Sequence, residues 1–246
     1  MNEEARKRLI FALDTSDIAE AFSLVELLGG HVGMFKVGKE AFTSHGPELV
    51  KGIKERGCDI FLDLKYHDIP NTVSGAALAA AKLGISMFNV HALGGVEMMR
   101  RTADAIKRLP GKDKPLVLAV TVLTSLDDSD LDEMGFRKST SELVPHLAGL
   151  ARKAGIDGVV ASPREVAAIR SACGEDFVIV TPGIRFDRDG DKMPPDDQKR
   201  TMTPGEAIRN GADYIVVGRP IRTAPEPGKT ADAIVEEISQ ALKIRH

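Results

Sequence analysis

Asp63, Lys65 and Asp68 lie close together in the stretch Ile60-Phe61-Leu62-Asp63-Leu64-Lys65-Tyr66-His67-Asp68-Ile69-Pro70-Asn71-Thr72. Ile60, Phe61, Leu62 and Leu64 are apolar and suited to a strand. Side chains alternate faces along a strand, so Phe61, Asp63 and Lys65 are expected to share one face. That sets a carboxylate beside an ammonium at the C-terminal end of the strand, with Asp68 just beyond. Such a group is either a paired structural cluster with a helix-capping aspartate, or an array of fixed charges acting on a bound molecule. Burying charge is costly unless it is paired, so the surrounding residues decide between the two.

The elements that must carry these residues alternate along the whole chain. Pro70 favours a helix start, and residues 73–83 read as that helix. Strands are expected at 8–14, 33–38, 60–65, 85–91, 115–122, 158–161, 177–182 and 214–219. Helices are expected between them, from Thr15 and Ser16 as caps through Leu28, from Pro47 to Arg56, and after each later strand. Eight βα units in 246 residues match a TIM (β/α)8 barrel: an α/β, parallel, eight-stranded single domain. A doubly wound open sheet is the alternative; the count of eight and the lack of an early G-x-G-x-x-G favour the barrel.

In such a barrel the active site lies at the C-terminal ends of the strands. Asp14, Lys36, Asp63, Lys65, Asn89, His91 and Thr121 all fall there, with Thr124 and Ser125 just past strand five. The N-terminal ends carry no comparable cluster. Loops after strands seven and eight often bind phosphate in this fold. Gly183 and Gly218 permit close backbone approach, and Arg219 can grip a phosphate through two hydrogen bonds. The pattern points to a phosphorylated small molecule, with its phosphate near strand eight and its chemistry near strands two and three. The polar segment at 185–203 is too polar for a core and reads as a mobile lid. His91 reads as a structural histidine in preference to a catalytic one.

A net charge of −3 gives no reason to expect nucleic-acid binding or a polybasic anchor. Two cysteines, Cys58 and Cys173, imply no disulfide framework and lack metal-site spacing. No apolar run approaches roughly 18 residues, and the N-terminal residues lack a signal-peptide pattern. A cytoplasmic protein is expected, without membrane association.

The run Asp63-Leu64-Lys65-Tyr66-His67-Asp68-Ile69-Pro70-Asn71-Thr72 resembles the signature of the orotidine 5′-phosphate decarboxylase family. Leu13-Asp14, Lys36-Val37-Gly38, Asn89-Val90-His91-Ala92, residues 121–125, Pro182-Gly183-Ile184-Arg185, Asp197-Gln198-Lys199-Arg200 and Val217-Gly218-Arg219 match as well, so the likeness covers nearly the whole chain. The resemblance implies conversion of orotidine 5′-monophosphate (OMP) to UMP and CO₂ in pyrimidine biosynthesis, with no metal and no organic cofactor. It implies a catalytic array of Lys36, Asp63 and Lys65, completed in a homodimer by Asp68 from the partner subunit, with Thr72 also reaching across. Asp14 and Lys36 would hold the ribose hydroxyls, and Thr124 or Ser125 the pyrimidine. Gln198 would bridge base and phosphate from the lid, and Arg219 with the Gly218 N–H would bind phosphate. Pro182 and Arg185 complete the expected substrate-binding set.

Two other readings compete. Hexulose-phosphate synthases and keto-gulonate-phosphate decarboxylases resemble the same Asp-x-Lys-x-x-Asp pattern but use Mg²⁺ and sugar phosphates. The Ile69–Thr72 continuation and the 197–200 segment argue against them. A non-catalytic phosphometabolite sensor would need no alternating Lys/Asp array, and fold alone does not separate sensor from enzyme.

Overall fold

A computed structural model describes residues 2–186 and 201–244. Its strands are β1 (Leu9–Leu13), β2 (Met34–Gly38), β3 (Ile60–Tyr66), β4 (Met87–His91), β5 (Leu116–Val120), β6 (Gly158–Val160), β7 (Val178–Thr181) and β8 (Tyr214–Val217). Each pairs in parallel with the next, and β8 returns to β1 through Leu9 opposite Ile215, closing a barrel. The open sheet is thereby excluded.

Two layers of apolar side chains follow from period-two alternation. Inside the barrel, Ile10, Met34, Phe61, Met87, Leu118, Val160, Val180 and Val216 fill the lumen. Between sheet and helices, Leu9, Phe11, Leu13, Phe35, Leu62 and Phe88 pack outward. Phe61 is 1% exposed, and truncating so buried a phenyl ring to alanine costs about 3–5 kcal/mol. It forms the floor beneath the charged residues one layer higher.

The helices are α1 (Glu3–Lys7), α2 (Ile18–Leu28), α3 (Lys39–Glu55), α4 (Pro70–Ala81), α5 (Gly95–Lys107), α6 (Asp128–Glu133), α7 (Thr140–Lys153), α8 (Val166–Cys173), α9 (Pro204–Arg209), α10 (Arg219–Arg222) and α11 (Pro227–Ile244). Several differ from the sequence reading. Asp17 caps α2, while Thr15 donates from its hydroxyl to Glu20. Helix α3 begins at Lys39 and kinks at Gly46 (φ 58°), so Pro47 restarts a helix already under way. Residues 128–133 after β5 form a further short helix, α6, held by reciprocal hydrogen bonds between Asp127 and Asp130. Asp68 does not cap α4; its carboxylate accepts from the Ile69 N–H. Among the described residues no helix is long and apolar enough to cross a membrane.

Candidate active site

Moving up the lumen by two residues turns the apolar layer into a polar one along half of the barrel. Met34 gives way to Lys36, Phe61 to Asp63 and Met87 to Asn89; Asp14 follows two residues after Ala12, just past β1. On the other half the position above Leu118 stays apolar as Val120, and Val160 and Val216 of the lower layer reach the space above them. The result is a cavity of about 260 Å³ whose charged wall of Asp14, Lys36, Asp63 and Lys65 faces an apolar wall that includes Val120 and Val216.

The charged wall is a chain of alternating sign. Lys36 Nζ lies 3.0 Å from Asp14 Oδ1 and 3.4 Å from Asp63 Oδ2. Lys65 Nζ lies 2.6 Å from Asp63 Oδ1, which also accepts from Asn89 Nδ2 at 2.7 Å. Burial works to push the Asp63 carboxyl up, but Lys36, Lys65 and the hydrogen bonds from Lys65 and Asn89 outweigh it and hold it below its ordinary value. Burial likewise works to lower Lys36, and the carboxylates of Asp63 and Asp14 raise it instead. Asp63 therefore remains ionised as pH falls to its ordinary carboxylate range, and Lys36 remains protonated as pH rises to its ordinary ammonium range.

Lys65 departs from the regular strand the sequence suggests. Its φ is 54°, the one positive φ at a non-glycine residue among those described. The β3–β4 register runs from Leu62 opposite Phe88 to Tyr66 opposite Val90, so β3 carries extra residues and bulges there. A left-handed residue with a Cβ costs about 1–2 kcal/mol. Such strain tends to persist where function requires it. The Lys65 N–H, released from the ladder, donates to Asn89 Oδ1 at 2.7 Å.

Gly38 explains why β2 ends in glycine. A Cβ there would lie 3.0 Å from Lys36 Nζ and 3.1 Å from Asp14 Oδ1, in the middle of the ion chain. Across the cavity Pro182, Gly183, Gly218 and Arg219 form the rim, and Gly183 turns the chain with φ 81°. Arg222 on α10 grips Glu20 through Nε and Nη2 and donates from Nη1 to the Asp14 carbonyl, joining the β8 loop to the β1 loop.

Of the expected site residues, Asp14, Lys36, Asp63, Lys65, Thr124, Pro182, Gly218 and Arg219 line this one cavity. Ser125 is exposed and does not line it. Arg185 lines a neighbouring cavity with Thr201 and Glu206. Asp68 and Thr72 are exposed on the outer edge and do not line the cavity of their own barrel. Gln198 lies outside the described residues. The imidazole of His91 is pushed down to about 4 by burial and by the nearby His67, Lys65 and Lys39, so it is neutral at physiological pH. Asn89, Arg222 and Glu20 were not anticipated in these roles. An asparagine at the end of an apolar strand was the signal available for Asn89; nothing local in the sequence ties Glu20 to a residue 202 positions later.

A family model described as orotidine 5′-phosphate decarboxylase / HUMPS family matches residues 7–234. An orotidine 5′-phosphate decarboxylase of Syntrophus aciditrophicus is 54% identical over 248 residues, covering 99% of this chain and 98% of that protein. That of Geotalea daltonii is also 54% identical, over 96% of this chain and 98% of the relative. The crystal structure of orotidine 5′-phosphate decarboxylase from Lactobacillus acidophilus superimposes with a TM-score of 0.81 at 40% identity, covering 94% of this chain and 98% of the other. The chain belongs to the orotidine 5′-phosphate decarboxylase / HUMPS family of enzymes and is a carboxy-lyase.

Proposed function

We propose that this protein decarboxylates OMP to UMP without a metal or organic cofactor, as a cytoplasmic enzyme of pyrimidine biosynthesis. The observation that carries the reading is the Asp14–Lys36–Asp63–Lys65 chain facing an apolar wall, with Gly218 and Arg219 on the far rim. Loss of CO₂ breaks the bond to C6 of the pyrimidine and leaves the electron pair on that carbon. No neighbouring group accepts it, and reactions this slow uncatalysed need on the order of 20 kcal/mol of stabilisation. Lys65 supplies a cation that attracts the developing carbanion more than the carboxylate, whose charge is spread over two oxygens. Such differential attraction accelerates the step. Lys65 Nζ then gives its proton to C6 and regains one from solvent. Asp63 holds the Lys65 ammonium in place.

Asp14 and Lys36 would hold the ribose hydroxyls, Thr124 and the apolar wall would hold the base, and Gly218 with Arg219 would take the phosphate. Asp68 and Thr72 serve a second barrel in a homodimer; their exposure, with Ile69 67% exposed between them, supports this. Gln198 and the 185–203 segment would cover the bound nucleotide, bringing phosphate binding energy to bear on the array.

The test is to mix purified protein with OMP in the presence of EDTA and follow loss of the orotate chromophore, with Lys65→Ala in parallel. Rapid conversion that ignores the chelator and disappears in the variant is the expected result. Folded wild-type protein that converts no OMP overturns the proposal.

A further inference from the structure

Asn89 on β4 is fully buried, and its amide joins two parts of the β3 bulge. Its Oδ1 accepts from the Lys65 backbone N–H, and its Nδ2 donates to Asp63 Oδ1, each at 2.7 Å. Chemistry fixes that orientation: a backbone N–H can only donate, and an ionised carboxylate can only accept. Between Leu62 and Tyr66 the ladder to β4 is interrupted. The Asn89 side chain stands in for the missing backbone partner, beside the left-handed Lys65.

We infer that Asn89 is a positioning residue for the decarboxylation: it holds the Lys65 backbone in its bulge and fixes the Asp63 carboxylate, so that the Lys65 ammonium meets the reacting carbon. This rests on the reaction proposed above. An error in the Lys65 backbone is carried along its side chain to the proton donor. A misplacement of about 1 Å in such a group costs about 10²-fold in rate.

Aspartate is the informative replacement because it has the same shape. A protonated Asp at this position would repeat both bonds, its carbonyl oxygen accepting from Lys65 N–H and its O–H donating to Asp63. Ionised, it would set two carboxylates against each other. The charged and titratable groups around it are Asp63 and Lys65 on β3, Lys36 on β2 with Asp14 after β1, and His91 on β4 with His67 stacked on it at 5.4 Å. The residue opposite Asn89 on β5 is Leu118, which carries no charge. Lys36 and Lys65 already have Asp14 and Asp63 as partners, so a further carboxylate takes up a proton readily.

The experiment measures kcat and KM for OMP with wild type, Asn89→Ala and Asn89→Asp from about pH 5 to about pH 9, together with exchange protection of the Lys65 amide. Asn89→Ala is expected to lose about 10²-fold in kcat with KM nearly unchanged, and to lose protection at Lys65. The ratio of Asn89→Asp to wild-type kcat is expected to be highest at the acid end. It should fall about tenfold per pH unit once the added carboxyl ionises. A residue that only packs produces no such limb. A flat ratio, or wild-type kcat in Asn89→Ala, overturns the inference. If Asn89→Ala does not fold, the Asn89→Asp ratio decides. Wild-type protein inactive on OMP overturns the reaction and with it the catalytic half of the inference, while Lys65 amide protection still reports the bridge.

Discussion

Two clusters of buried charge occupy opposite ends of the barrel, and their hydrogen bonds differ in kind. At the N-terminal ends of β7 and β8, Arg170 donates to the carbonyls of Gly174, Glu175, Phe177 and Gly211 and to the Asp213 carboxylate. Asp213 also accepts from the Ile179 N–H. That guanidinium spends its donors on backbone and opens onto no part of the candidate active site. At the C-terminal ends, Lys36 and Lys65 are held by carboxylates of their own chain, and both ammoniums line an open cavity. The first arrangement ties loops together; the second presents charge to a visitor. A buried ion pair alone does not distinguish these uses, whereas the partners and the adjoining space do.

Lys65→Ala tests the active end hardest. It should lower kcat by about 10⁴-fold, as expected when one group both stabilises charge and delivers a proton. Its effect on melting temperature should be the smaller one. Arg170→Met is the mirror experiment. It leaves Asp213 without its main partner and should cost about 3–5 kcal/mol of stability in denaturant titration. Its kcat at a temperature where it remains folded should match wild type. A large loss of kcat in that variant, or none in Lys65→Ala, would erase the contrast.

Arg219→Ala should lower kcat/KM for OMP by about 10²-fold, within the range for a lost charged hydrogen bond, with partial rescue by added phosphite. An unchanged rate constant without rescue would remove phosphate binding from the rim. The smallest effect concerns His91, whose value of about 4 lies below the ordinary 6.5. The unfolded chain takes up that proton first as pH falls. The stability His91 contributes as a half-buried neutral ring is therefore complete above about 6.5 and is lost as pH falls toward about 4. His91→Gln should make acid unfolding over that interval less steep; an unchanged slope would show that the ring is not buried in neutral form.

Much of this was legible in the chain. Alternation put Asp63 on the same face as Phe61, because a strand repeats every two residues whatever its neighbours do. Eight strand-and-helix units of the right length implied closure, and Pro70 marked the start of α4. Lys65 broke the same rule: simple alternation assigned it to the correct face but gave no sign of a left-handed residue in a bulge.

The amino-acid order alone determined the strands, their inward faces, the end of the barrel that carries charge and the family to which the motifs belong. Only the tertiary structure decided that Asn89 fills the gap in the β3 ladder, that Arg222 reaches the Asp14 loop, and that Arg185 faces a different cavity from Arg219. The reason is physical. Face and period are local properties of a few consecutive residues, but a bulge is defined against a neighbouring strand. Contact between the first and last loops exists only once β8 has closed on β1.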